Sequence, residues 1–545
     1  MITEIKINEA NKARWYEEGY WTEQTLNDVW SEQVNNYPDN EYISDDLGAR
    51  YTYKEIDEKA SKLASWLVSV GVKNGDVVSF QLPPWAEFPI IAIACTKVGA
   101  VMHPLSVTFN HEDLVYSMNL VESKAFICPS FHHKTDFEAQ ILSVVDRIDS
   151  LNPEAIAIYE KLRPGNGTLT LDQIFETFEP YTEPCPSKSD EILLILSTSG
   201  TTGKPKAVLF THNTLLSAEH AFCKGFHLTH DDVCFMPSPL NHATGLNHGL
   251  ISPMTLGGRV VLQSKFNPEE AVKIMNREGA TWSMGATPFI QDLLNECEKG
   301  NKLTTLKLYP CGGAPVPGDM VKWALKHGVL LCEVYGSTES SPHMYVPPEH
   351  CLDWDGAYSG IPFEGIEVKV VDGQHNEVPY GTQGEEASRG PNVFVGYLHN
   401  PEATNKDLDD EGWFYSGDLC YMTPEGRVRI NGRKKEIIIR GGENISVNEV
   451  DNNIKAVPGV EDCAACGKPD VRLGERIASY IVTNDPETVT KDYIIKHLDA
   501  AGVAKRLWPE HIEYIEKIPR TETGKVRRNW LVDELVRRIK EREQG

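Results

Sequence analysis

Apolar residues at helical spacing alternate with short apolar runs along most of the chain. Over residues 53–67, Ile56, Ala60, Leu63, Ala64 and Leu67 share one face of a 3.6-residue repeat, which predicts a helix that Gly71 stops. Residues 77–82 follow Asn74-Gly-Asp76 as an apolar run and read as a strand. The alternation recurs: residues 92–98 are mostly apolar, 114–120 are helical and 125–128 read as a buried strand. Helix and strand in turn predict a layered α/β architecture. The longest apolar stretch, 88–105, is interrupted by Lys97 and His103 and punctuated by Gly99 and Pro104. It therefore reads as buried strand or helix and not as a membrane span. No repeat of roughly 20–50 residues is visible, which disfavours solenoids and propellers.

Later the pattern changes. Residues 163–189 turn rich in Pro, Gly, Thr and Glu and predict a surface connection. The charged, turn-forming Gly432-Arg-Lys-Lys-Glu436 separates a strand-like run at 427–430 from another at 437–439, which suits a boundary between domains at 1–434 and 435–545. The second holds two strand-like runs and a helix-rich basic end at 521–543, enough for a small α+β domain.

Composition narrows the partners. The chain has 545 residues, with 53 Lys+Arg against 79 Asp+Glu, a formal charge of −26. That excess disfavours nucleic acid, whose phosphates are bound by displacing counterions with cations. Any anionic ligand must then be met by local cations. The opening residues lack the apolar core and cleavage site of a secretory signal, and the 12 cysteines are scattered, so reduced thiols in a cytoplasm are expected. Cys463 and Cys466 form a C-x-x-C with no second half-site, and they read as structural.

The apolar run 193–196 leads into Ser197-Thr-Ser-Gly-Thr-Thr-Gly-Lys-Pro-Lys206. Backbone amides freed by Gly200 and Gly203, the hydroxyls of Thr198, Ser199, Thr201 and Thr202, and the cations Lys204 and Lys206 are chemistry that surrounds a polyphosphate. A Walker A loop would need Gly at 198, which is Thr, and Ser or Thr after Lys204, which is Pro205, so a P-loop NTPase is excluded. A plain flexible loop is the alternative.

Four further segments follow in order: Tyr335-Gly-Ser-Thr-Glu339, Tyr415-Ser-Gly-Asp418, Gly432-Arg433 with Lys435, and Pro519-Arg-Thr-Glu-Thr-Gly-Lys525. Together with the first loop they resemble the signatures of the AMP-forming acyl/aryl acid adenylating superfamily, of acyl-CoA synthetase, adenylation-domain and luciferase type. The resemblance spans residues 22–531 and is nearest to carboxylic acid:CoA ligases. Ala207 departs from the Gly often found there, a small change. The resemblance implies a large N-terminal α/β unit of layered sheets plus a small β-barrel, and a small mobile C-terminal α+β domain.

It also implies roles. Thr198 to Lys204 and Lys206 would bind ATP phosphates, Gly312, Gly313 and Ala314 the adenine side, and Tyr335, Gly336, Ser337 and Thr338 the nucleotide. Glu339 would hold Mg²⁺, a hard ion that prefers oxygen. Asp418 would accept from both ribose hydroxyls and Arg433 would add a second nucleotide contact. Lys525 would stabilise charge as the carboxylate attacks the α-phosphate. Lys435 would be the hinge, and Gly441 and Gly442 would line the CoA path. Asn241, His242, Met284 and Gly285 would line the acid pocket, with His242 beside the reacting carboxylate; a packed aromatic is its alternative. Ala243, where dihydroxybenzoate-type members carry Asn, argues against that substrate.

The expected function is thus an AMP-forming acid:CoA ligase using ATP, Mg²⁺ and CoA, with a medium-chain, alicyclic or aromatic acid. Loading of a carrier-protein phosphopantetheine is the alternative, and a non-catalytic nucleotide-binding regulator lies further off. A homodimer is left open.

Overall fold

The computed structural model describes residues 2–160, 168–198, 206–313, 316–354, 356–434, 437–440, 443–470, 472–521 and 524–544. The chain divides into two compact units, one of Met1–Glu367 with Ser388–Phe414 and one of Val368–Ala387 with Tyr415–Gly545.

Two sheets organise the larger unit. In the seven-stranded one, Val77–Phe80 lies between the parallel strands Val101–Pro104 and Ala125–Pro129, and all three are buried throughout, as strands covered on both faces must be. The apolar stretch 88–105 resolves into the helix Phe88–Val98, buried at every position but Lys97, and the strand Val101–Pro104. The helix at 53–67 is Tyr53–Ser69, started by a reciprocal capping box between Thr52 and Glu55. Among the described residues no helix is long and apolar enough to cross a membrane.

The ten-stranded sheet holds Leu330–Ser337, Leu308–Gly312, Trp282–Ser283 and Val233–Met236 as neighbours in that order, every adjacent pair parallel. Parallel order means that all four release the chain at the same edge. Such an edge is where open α/β sheets bind ligands.

One expectation fails here. Within residues 163–189, read as a surface connection, Leu169–Thr170 pairs with Ile156–Tyr159, and the helix Leu171–Thr177 buries Leu171 and Ile174. Two apolar anchors on seven residues are too few to show a period against the surrounding Pro and Glu.

The smaller unit contains a four-stranded sheet of Glu367–Val371, Gly384–Arg389, Phe414–Met422 and Val428–Arg433. It also contains a five-stranded sheet of Ile437–Arg440, Glu443–Ser446, Asp462–Asp470, Gly474–Val482 and His511–Tyr514, where the sequence had predicted two strand-like runs. The helix Arg528–Gln544 buries Leu531 and Leu535 beside Tyr480 and Cys466. Cys463 joins the opposite apolar cluster, with Ile438 and Ile477. Residues three apart on a strand face opposite ways, so this C-x-x-C is a packing feature and not a dithiol.

Candidate active site

The segments singled out by sequence gather first at the shared sheet edge of the larger unit. Val233–Met236 leads into Asn241 and His242, Trp282–Ser283 into Met284 and Gly285, Leu308–Gly312 ends on Gly312 and Gly313, and Leu330–Ser337 carries Tyr335, Gly336 and Ser337 into Thr338 and Glu339. About a hundred residues of chain are thereby folded onto four adjacent strand ends. Ala286 pairs with Gly312 and Gly285 with Cys311, which fixes the acid-side and adenine-side segments in register.

The turn that carries Glu339 is tightly built. Its return strand, Ser341–Tyr345, pairs antiparallel with Leu330–Ser337 across an irregularity at Tyr335 and Gly336. A Cβ at Gly336 would lie 2.0 Å from the Ser341 carbonyl oxygen, so only glycine fits. Ser341 itself has φ 52°, a left-handed conformation that costs a non-glycine residue energy. The Ser337 amide bonds to Ser340 Oγ, the Phe394 amide donates to the Glu339 carbonyl at 2.7 Å, and Tyr335 packs edge-on against His343. The Glu339 carboxylate accepts from the Tyr397 hydroxyl at 2.9 Å.

Thr198 and Lys206 lie opposite each other on the antiparallel strands Ile192–Thr198 and Lys206–Thr211. The connection Ser199, Gly200, Thr201, Thr202, Gly203 and Lys204 lies outside the described residues, as do Ala314, Lys435, Gly441 and Gly442. The loop thus joins two strands, whereas a Walker A loop opens a helix. Lys206 Nζ donates to Asp407 Oδ2 at 2.8 Å and lies 3.9 Å over the Tyr397 ring.

On the acid side the chain leaves Met236 through a turn and enters a π-helical stretch, Thr244–Ile251, a conformation often found at functional sites. Asn241 and His242 are half-buried there, and the His242 Nδ1 accepts from the Thr244 amide at 3.4 Å. At Gly245 a Cβ would lie 2.1 Å from the Pro239 carbonyl oxygen, so the turn closes only on glycine. Ala243 and Met284 are buried, and a Cβ at Gly285 would crowd the Tyr309 hydroxyl at 2.7 Å. The Tyr309 and Ser283 hydroxyls are buried with no hydrogen-bond partner among the described residues.

Sequence reasoning missed a buried cluster behind this segment. His248 Nδ1 lies 2.9 Å from Glu219, which also accepts from Ser252 Oγ at 2.5 Å, and Phe222 stacks on the imidazole at 4.1 Å. It missed Tyr397 and Asp407 as well. Each such residue sits singly in an ordinary helical or loop context, and only the fold brings it to a partner.

In the smaller unit, Asp418 and Arg433 face each other across Phe414–Met422 and Val428–Arg433, with Arg433 Nε 2.9 Å from Asp418 Oδ1. The Asp418 side chain is 7% exposed. Glu385, also missed, accepts from the Gly417 amide at 3.0 Å and pairs with Lys434, pinning the turn before Asp418. Lys525 is exposed on a turn in which the Thr521 amide donates to the Lys525 carbonyl at 2.8 Å and the Lys525 amide to Thr521 Oγ1 at 3.1 Å.

Mg²⁺ can be weighed against the donors present. Among the described residues no three His, Cys, Asp or Glu side chains cluster as a metal cage. A single carboxylate suits an ion that keeps phosphate and water ligands.

Residues 30–398 match the family model described as AMP-binding enzyme, and residues 449–525 that of the AMP-binding enzyme C-terminal domain. The chain is 40% identical over 541 residues to the medium-chain fatty-acid–CoA ligase of Escherichia coli strain K12, covering 99% of this chain and 95% of that one. It is 30% identical over 481 residues to a feruloyl-CoA synthase of an Amycolatopsis sp, covering 88% and 93%. Among solved structures, ATP-bound MatB from Rhodopseudomonas palustris is similar with a TM-score of 0.84 at 26% identity, covering 94% of this chain and 99% of that one.

Proposed function

The chain belongs to the AMP-binding enzyme family, and on that premise we propose that it activates a medium-chain carboxylic acid. It is an AMP-forming acid:CoA ligase. Acid and Mg·ATP give acyl adenylate and pyrophosphate; the CoA thiol then displaces AMP to give the thioester. The observation that carries the reading is the convergence of Asn241–His242, Met284–Gly285, Gly312–Gly313 and Tyr335–Glu339 on one parallel-sheet edge.

Within it, Glu339 holds Mg²⁺, which when bound offsets phosphate charge. Lys206 and the 199–204 connection receive the phosphates, and Gly312 and Gly313 receive the base. Tyr335, Gly336, Ser337 and Thr338 shape the nucleotide turn. Asp418 accepts from the ribose hydroxyls with Arg433 beside it. Lys525 stabilises charge at the α-phosphate in the first half-reaction. Lys435 serves as the hinge before the second, in which Gly441 and Gly442 admit the CoA arm. The acid lies along Asn241, His242, Met284 and Gly285. Ala243 and Met284 offer it apolar contacts and no partner for an ortho hydroxyl. Twelve unpaired cysteines suit a reducing cytoplasm.

The test is acyl-CoA formation, read by mass spectrometry, with acetate, octanoate, palmitate and ferulate at equal concentration. Octanoate giving the highest kcat/KM supports the proposal. Preference for ferulate or palmitate overturns the acid class, and AMP without acyl-CoA would turn attention to a carrier protein.

A further inference from the structure

One hydroxyl stands between two carboxylates beside Glu339. The Tyr397 hydroxyl lies 2.9 Å from Glu339 Oε1 and 3.0 Å from Asp407 Oδ2, and the same Asp407 oxygen accepts from Lys206 Nζ at 2.8 Å. A phenol carries a single hydrogen, so it donates to one of the two carboxylates at a time. Tyr397 is only 2% exposed. Among the described residues, two carboxylates and one ammonium surround it, where water screens little.

The backbone makes this meeting obligatory. Leu209 N donates to Gly396 O at 3.0 Å, Val395 N to Leu209 O at 3.0 Å and Leu398 N to Ala207 O at 2.9 Å, so the segment around Tyr397 is stitched to the strand that begins at Lys206. Phe394 N holds the Glu339 carbonyl at 2.7 Å from the same segment. Tyr397 N donates to Thr404 Oγ1 at 2.9 Å on the helix Pro401–Asp407, whose last residue is Asp407. One short stretch of chain therefore fixes the distance between the strand after the phosphate-loop candidate and the candidate metal carboxylate.

We propose that Tyr397 and Asp407 are positioning residues for the metal-dependent step: Asp407 holds Lys206, and Tyr397 holds Glu339 Oε1 so that the other carboxylate oxygen would be presented to Mg²⁺. The proposal rests on Glu339 being the metal carboxylate. Lys206 is then tied back from Glu339 by its own counter-ion, so that ammonium and metal do not compete for one carboxylate.

The test is ATP binding by equilibrium dialysis without acid or CoA, as a function of Mg²⁺, for wild type, Tyr397→Phe, Asp407→Asn and Glu339→Gln. Groups that orient a metal ligand change metal affinity by about 10–100-fold when removed. Tyr397→Phe keeps the ring under Lys206 and should raise the Mg²⁺ half-point about tenfold while leaving Mg²⁺-free ATP affinity unchanged. Asp407→Asn should shift it in the same direction. An unchanged half-point in both folded variants, with Glu339→Gln strongly shifted, overturns the positioning role alone. No shift in Glu339→Gln either overturns the metal assignment on which it rests.

Discussion

Glu339 and Asp418, the two carboxylates that the sequence marks most strongly, stand in opposite electrostatic settings. Glu339, in the larger unit, shares the Tyr397 hydroxyl with Asp407, and Lys206 sets one positive charge against two negative ones. Asp418, in the smaller unit, meets Arg433 across an antiparallel ladder. Among the described residues, the first arrangement sets two carboxylates against one ammonium. The second sets one guanidinium 2.9 Å from one carboxylate. The backbones differ as well: a turn at a parallel-sheet edge, with Ser341 at positive φ, carries Glu339, and an antiparallel strand carries Asp418 beside a register shift at Leu419 and Cys420.

The strongest way to break the comparison is Lys525→Ala. If the smaller unit supplies charge stabilisation only to adenylation, acid-dependent pyrophosphate release should fall about 10²- to 10³-fold, while thiolation of supplied acyl adenylate changes far less. Equal losses in rapid-quench assays of the two steps would contradict that division. Next is Asp418→Asn, which removes a charged acceptor from bonds worth about 1.5–3 kcal/mol each. The KM for ATP should rise tenfold or more in steady-state assays, with the acid KM unaffected.

The smallest expected effect concerns acid stability. In the larger unit, burial holds His103 down at about 3 and His212 at about 4, against an ordinary value of 6.5. Below pH 6.5 the unfolded chain takes up protons that the folded chain refuses, so stability falls as pH drops from 6.5 toward 3. In the smaller unit, burial pushes Glu513 up, but Arg542, His511 and Arg538 outweigh it and hold the carboxylate at about 2. That contribution is complete above pH 4.5 and is lost as pH falls toward 2. Urea midpoints should therefore decline between pH 6.5 and 4.5, and His103→Gln should flatten that decline while Glu513→Gln leaves it alone.

How much of this was legible in the sequence followed from how local each signal is. Helix Tyr53–Ser69 and strand Val77–Phe80 announce themselves by period and by boundary residues. The C-x-x-C could be judged structural, and the strand geometry explains why. The helix Leu171–Thr177 could not be seen, because its two buried anchors lie among turn-forming residues. In the candidate site, Glu339, Asp418 and Lys525 sit inside recognisable strings. Tyr397, Asp407, Glu385 and the Glu219–His248–Ser252 cluster gain meaning only from partners that lie 10 to 201 residues away in the chain.

The central claim, that local charge count decides what each carboxylate holds, is tested most directly by titrating Mg²⁺ against acid-dependent pyrophosphate release at saturating ATP in Glu339→Gln and Asp418→Asn. Glu339→Gln should show a large upward shift or loss of the Mg²⁺ response, and Asp418→Asn a wild-type Mg²⁺ half-point. A shifted half-point in Asp418→Asn, or a wild-type one in Glu339→Gln, would contradict it.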